Sequence, residues 1–322
     1  MKFLPLLLFS ILLVSHNYSK ATTWDEPWQD EIIKNSEYFI LGNVIKNDYQ
    51  KGTTIEIIKN IVGYRLPDQI LISDFYLLHL CSYSDGHGPE FQFDEGEQYY
   101  FFLKVNEDGH YCISTPSSGF AYFDKEENIV YATYRHSYHQ ALVDPDIYEK
   151  TMTTLFHYYH NESYETQYIT DLASEFLNKA PAGFEAFETD VFFGQHVAME
   201  MLYHLKLGGF YEQLTYFLKD TSNQHNQISA ARALRAYNTE ECKDLLIDAI
   251  ANPDYDDFVK VICIWTLSEF NPVDKKAEIE ALVEDASDLD NGFGGNIMDP
   301  RVCTHFPTVK SALKQLLASL EE

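Results

Sequence analysis

The stretch CSYSDGHGPEFQFDEGEQYYFFLK, residues 81–104, gathers Cys81, His87 and the carboxylates of Asp85, Glu90, Asp94, Glu95 and Glu97 ahead of an apolar run. Such a set can ligate a metal or move protons. The same composition also builds a tethered turn in front of a strand. His87 stands between Gly86 and Gly88, the setting of an exposed turn, and Asp85 with Glu90 alone does not complete a metal site. Two histidine pairs follow, His136/His139 in HSYH and His157/His160 in HYYH. On a helix, this i, i+3 spacing puts both rings on one face, which suits transition-metal capture. The second pair ends an expected helix and is the better placed. Neither pair sits in an HExxH pattern, and amphipathic packing is the preferred reading of both. In DLDNGFGGNIMD, Asp288 and Asp290 fit the first and third positions of a calcium loop. Phe293 then falls where such a loop needs glycine, and Asp299 rather than glutamate closes it, so a loop between helices is expected. GxSxG, GxGxxG and P-loop patterns are absent from the sequence. No residue is assigned a catalytic or metal-binding role, and no cofactor is expected.

Two kinds of element must position these residues. From about residue 36 to 133 the chain shows short runs rich in β-branched and aromatic residues: EYFILGNVIK, TTIEIIKNIVGY, QILISDF, QYYFFLKV and NIVYATY. Turn-forming stretches such as NDYQKG, RLPD and NEDGH separate them. Five or six strands without long helices predict a small antiparallel barrel or sandwich. WDEPWQDEIIKNS in front of them reads as a short helix. After Pro145 the apolar period becomes helical. Helices are predicted near 146–160, 165–179, 190–206 and 210–219. Further stripes run through Phe258, Val261, Ile262 and Trp265, through Ile279, Leu282, Val283 and Ala286, and from Val309 to Leu320. Asn238 with Glu241 suggests a capping box for ECKDLLIDAI.

Composition narrows the function classes. The formal charge is -27, with 45% hydrophobic and 15% aromatic residues, which excludes global disorder. So acidic a surface repels phosphate backbones, so neither nucleic acid nor an anionic membrane is an expected partner. The opening run FLPLLLFSILLV (Phe3 to Val14) after Lys2 has the length and charge of a secretory leader and is too short to span a bilayer. Ser19 and Ala21 suit signal peptidase, so residues 1–21 are expected to be removed. No cysteine lies at that point to carry a lipid, and no stable membrane insertion is expected afterwards. The expected location is secreted or periplasmic. The five cysteines are Cys81, Cys112, Cys242, Cys263 and Cys303, and no CxxC occurs. Cys81 and Cys112 flank the apolar run at 98–105, so a hairpin would bring them together. In an oxidising compartment they are expected to pair, adding roughly 3–4 kcal/mol by loop closure.

The helical half repeats itself. ISAARALRAYN, from Ile228, aligns without gaps with VICIWTLSEFN, from Val261, and each is followed by a second amphipathic segment. A helical pair of about this length that cannot bury its apolar face alone is the mark of a solenoid. On these residues the second half resembles HEAT-like repeats, with bulky Ile262 and Trp265 where small residues are common. The first half resembles the netrin-like, tissue-inhibitor-of-metalloproteinases-like OB fold. The resemblance is carried by SEYFILGNVIK, TTIEIIKNIVGY, QILISDF, Cys81, Cys112 and the F-x-x-G-x-x-Y order of Phe93, Gly96 and Tyr99.

The expected organisation is therefore α+β: leader 1–21, an OB-like barrel over 22–140 and a HEAT-like α-solenoid over 146–322. Both resemblances imply contact with a protein partner, so a non-catalytic binding or scaffold protein is expected. Two alternatives stay open: a proteinase inhibitor acting through the barrel, and a metal-binding protein or metal-dependent enzyme using the histidine pairs. The inhibitors of the resembled family chelate their target's zinc through an N-terminal cysteine, and the sequence after Ala21 begins TTWDEPW.

Overall fold

The computed structural model describes residues 27–48, 51–73, 93–113, 119–136, 139–185, 187–289 and 306–321. The expected leader, Cys81, His87, Asp290 and Cys303 lie outside them. Helix α1 (Gln29–Lys34) precedes β1 (Tyr38–Asp48), β2 (Gly52–Val62), β3 (Gln69–Ile72), β4 (Gln98–Val105) and β5 (Tyr111–Ile113). β1 pairs antiparallel with both β2 and β4, β2 with β3, and β4 with β5. A parallel contact between Ile72 of β3 and Tyr111 of β5 closes the ring. The result is a closed five-stranded barrel in the order β1-β2-β3-β5-β4-β1. The outer edge of β4 divides its pairing: Leu103–Val105 meets β5, while Gln98–Phe101 meets β6 (Phe120–Asp124). β7 (Ile129–Thr133) and β8 (Gln140–Val143) extend that sheet.

The unbroken apolar run QYYFFLKV now has a cause. Strand side chains alternate between faces, and both faces of β4 are buried. Tyr99, Phe101 and Leu103 fill the barrel with Ile40, Val44, Ile55 and Ile72. Tyr100 and Phe102 point outward with Phe39 and Leu41 of β1 into a second core that also contains helical residues. Phe93 and Tyr99 join the barrel interior, and Gly96 lies in the turn between them. The Phe93 ring lies edge-on to Tyr99, centroids 5.0 Å apart, and the Asp94 N–H donates to the Tyr99 hydroxyl at 3.2 Å. Gly96 has φ +88° and donates its N–H to Val44 O, a backbone conformation that favours glycine. Strands β5, β6 and β8 have five residues or fewer, too few for an alternating pattern to be read.

Only Asp144 separates β8 from α2 (Pro145–Tyr159). Its carboxylate accepts from the Asp146 N–H at 2.7 Å, and Pro145 takes the first helical turn, where a missing N–H costs nothing. α3 (Gln167–Leu177), α4 (Thr189–Leu205), α5 (Tyr211–Lys219), α6 (Gln224–Ala233), α7 (Glu240–Ala251), α8 (Asp257–Ser268), α9 (Lys276–Asp285) and α10 (Val309–Ser319) complete the described elements. α4, α6, α8 and α10 pack in succession, and α5, α7 and α9 lie against that row. The two aligned segments fall on α6 and α8 in equivalent places: Ile228 and Val261 are buried, as are Leu234 and Leu267. α6 gives way to a tighter turn at Leu234–Ala236, whereas α8 runs on to Ser268. The cap of α7 is Thr239, whose hydroxyl accepts from Cys242 N at 3.2 Å; the expected Asn238 lies one residue too early.

The barrel and the helices share one core. Phe39, Tyr100 and Phe102 pack with Tyr148, Met152 and Phe156 of α2 and with Phe192 and Val197 of α4. The Phe102 ring stacks on Phe39 at 5.0 Å and on Phe156 at 6.1 Å. Truncating a core phenylalanine costs about 3–5 kcal/mol, so Phe102→Ala is expected to lower urea stability by that amount. Because the core is shared, far-UV dichroism (secondary structure) and near-UV dichroism (aromatic packing in both halves) are expected to report one coincident transition. Two separated transitions would show that the halves fold independently.

Candidate functional site

The densest polar chemistry lies where β7, α4 and α6 meet. α4 is apolar almost all round, with thirteen buried residues from Phe192 to Leu205. Besides Gln195, three polar side chains at i, i+4 and i+8 interrupt it: His196, Glu200 and His204. Helical spacing puts them on one face, and none is more than 1% exposed. Arg135, just past β7, and Ser229 and Arg232 of α6 reach the same place. Arg135 and Glu200 side chains are both 0% exposed, 3.7 Å apart. Arg232 donates Nε–H to Glu200 Oε2 at 3.0 Å, and the Ser229 hydroxyl donates to Oε1 at 2.8 Å. A carboxylate stripped of water requires such partners, since an isolated buried charge is costly.

Ser229 and His196 stand 3.0 Å apart, the separation of a nucleophile and its base. The proton arrangement is opposite to what catalysis needs. Ser229 has one proton, and the carboxylate of Glu200 takes it, while Arg135 donates to Oγ at 3.1 Å. His196 Nδ1 therefore carries its own proton and donates to Ser229, so it cannot receive one there. His204 is fixed in the other tautomer: Nε2–H donates to Tyr134 O, and Nδ1 accepts from the Tyr159 hydroxyl, each at 2.7 Å. Burial pushes the pKa of His204 down to about 4, against the upward pull of Glu200 and the Tyr134 carbonyl. Burial also lowers His139 and His196 far below the usual range, with neighbouring histidines and Arg135 adding to the effect. His225 falls to about 4 through burial and Arg135.

The expected pair His136/His139 is not helical. It lies between β7 and β8, and its members diverge. His136 meets the Trp28 ring edge-on at 5.1 Å, while His139 meets His196 at 4.0 Å and stacks on His225 at 4.8 Å. His157 and His160 do close α2, as the spacing predicts. His157 Nδ1 contacts Glu162 Oε2 at 2.6 Å, and His160 Nδ1–H donates to Phe156 O at 2.9 Å. Both histidines line a 520 Å3 groove with Tyr38, Ile61, Tyr64 and Phe156. Asp288 is held through its carboxylate by the Thr308 hydroxyl at 3.1 Å. Among the described residues, no group of three or more His, Cys, Asp or Glu is arranged to hold a metal. Cys112 is buried on β5, its Sγ 3.8 Å from Lys104 O, and its expected partner Cys81 lies outside the described residues. Burial raises the Cys242 thiol to about 12, and Cys263 is raised in the same way, the state of small hydrophobes in a core. No helix of the described residues is long and apolar enough to cross a membrane.

Sequence reasoning missed Arg135, His196, Glu200, His204, Ser229 and Arg232. Their signal was the charged residue inside an apolar helix, with histidines four residues to either side. Comparison with protein-family models, curated proteins and solved structures finds no match to this chain.

Two outcomes are expected. Glu200→Gln removes the carboxylate charge facing Arg135 and Arg232 and should cost about 3–5 kcal/mol in urea unfolding at neutral pH; a loss under 1 kcal/mol would show the network to be slack. The second concerns acid. The unfolded chain protonates its histidines near the ordinary value of about 6.5, while His204 in the folded protein resists to about 4. Between these limits the unfolded chain binds more protons, so stability falls as pH drops from 6.5 toward 4. The expected slope is about 1.4 kcal/mol per pH unit for each fully buried histidine, read from denaturation midpoints across that window.

Proposed function

We propose that the protein is an exported binding or scaffold protein that engages a protein partner along the seam between its barrel and its helices. The observation carrying this reading is that the polar cluster is buried in the joint, whereas two wide grooves open on the seam. One, of 570 Å3, lies between β7, β8 and α2–α4; the other, of 520 Å3, lies between β1, β2 and α2. Their walls combine half-buried apolar and aromatic side chains with charged residues, a composition found at contact surfaces. Tyr64, 87% exposed beside the second groove, adds an aromatic anchor of the kind that dominates interfaces.

The finer architectural reading is an OB-like barrel followed by HEAT-like helix pairs. The strand order, with its single parallel closure between β3 and β5, supports the first part. The successive packing of α4, α6, α8 and α10 supports the second. A Cys81–Cys112 disulfide remains part of this proposal, and the net charge of -27 disfavours a nucleic-acid partner. The test is capture of partners from the secreted fraction of the native source by the purified full-length protein, with quantitative mass spectrometry. Saturable enrichment of a defined protein, competed by free protein, is the expected result. Turnover of a hydrolase substrate panel without any such enrichment would overturn the reading.

A further inference from the structure

The 570 Å3 groove carries more information than its size. Its floor and walls come from the sheet and three helices: Ile129 and Leu142 from the sheet, Ile147 from α2, Leu172 and Phe176 from α3, and Val191 with Phe193 from α4. Its depth depends on Gly194. A Cβ at that position would sit 2.1 Å from the Phe176 ring, so only glycine lets the ring lie down on α4 and form the floor. Ile129, Leu142, Ile147, Phe176 and Val191 are half-exposed, leaving an apolar trough open to solvent.

The rim has one dominant sign. Glu127, Asp144, Glu175 and Asp190 all line the groove and are all exposed, and Lys179 is the one cation among its lining residues. Lys179 lies 3.8 Å from Glu175 and over the Phe176 ring at 4.5 Å, at the α3 side of the trough. Phe187, 82% exposed, stands three residues before Asp190 at the entrance to α4. An apolar trough bordered by four carboxylates is complementary to one kind of occupant: an amphipathic segment with an apolar stripe and lysine or arginine on either side.

We infer that this groove is the docking site for a cationic, amphipathic segment of a partner protein. The inference rests on the binding reading above and names the partner's chemistry. Apolar side chains of the segment fill the trough over Phe176 and Val191, and its basic residues face Glu127, Asp144, Glu175 and Asp190. The trough supplies affinity, and the carboxylates supply orientation, rate of encounter and salt dependence.

The probe is a fluorescent fourteen-residue peptide of leucine and lysine in helical amphipathic order, followed by anisotropy against the full chain at low and moderate salt. Two control peptides replace every lysine by glutamate or every leucine by serine. The double variant Glu175→Lys/Asp190→Lys reverses the rim. Glu212→Lys/Asp254→Lys makes the same change in net charge at exposed positions away from it. Val191→Gln makes the wall polar without changing charge, and circular dichroism verifies that each variant is folded. The expected result is binding of the leucine–lysine peptide alone, weakened at least tenfold by the rim reversal and by Val191→Gln, and less than twofold by the distal pair. Equal weakening by both charge reversals, or equal binding of the serine control, would reduce the effect to the protein's overall acidity and overturn the inference. Failure of the peptide with intact partner capture removes this groove and leaves the binding reading standing. Failure of capture removes the binding reading itself.

Discussion

Everything in this molecule is arranged around one buried anion. Glu200 sits in the middle of an apolar helix, at 0% exposure, and its charge must be met inside the protein. Arg135 comes from the end of the sheet, and Arg232 and Ser229 come from α6, so the carboxylate binds three parts of the chain at once. A buried ionic network of this kind adds little net stability compared with apolar packing, because desolvation offsets most of the attraction. What it adds is uniqueness. If α4 rolled or slid by one turn, Glu200 would leave both arginines, so the network favours one register of barrel against helices.

The histidines follow from that arrangement. His196 and His204 share the face of α4 that carries Glu200, and the joint that hides Glu200 hides them too. Two opposite tautomers are imposed by their partners: Nδ1–H on His196 toward Ser229, and Nε2–H on His204 toward the Tyr134 carbonyl. Neutral imidazoles beside two arginines are stable because a further positive charge there would be repelled and poorly solvated. The cluster thus has the residue types of an active site with the protons in the wrong places for a serine nucleophile.

The sequence was legible where one face of an element meets water and misleading where none does. α2 and α3 show a helical stripe because their outer faces are wet, and their bounds fall within two residues of expectation. The run QYYFFLKV was recognised as a strand, but its lack of alternation hid that its two faces serve different cores, the barrel interior and the helical joint. The His136/His139 spacing suggested a shared helical face; the chain turns there instead, and the rings point to Trp28 and to His196. The ionic cluster was unreadable for a physical reason. Its members lie 97 positions apart at the extremes, Arg135 to Arg232, and local periodicity carries no information about which distant charges meet.

The joint also decides which surfaces remain for contact. A five-stranded barrel standing alone would leave the outer faces of its strands open to solvent. Here the outer faces of β1 and β4 are spent against α2 and α4, since Phe39, Tyr100 and Phe102 belong to the helical core. Covering a curved sheet with straight helices leaves clefts wherever curvature and helix axis diverge. The two grooves of 570 and 520 Å3 flank α2 in this way. Their walls are formed by the packed sheet and helices themselves. A preformed trough spares a partner the ordering cost that a loose surface would impose, and an acidic border around it favours one charge of partner over the other.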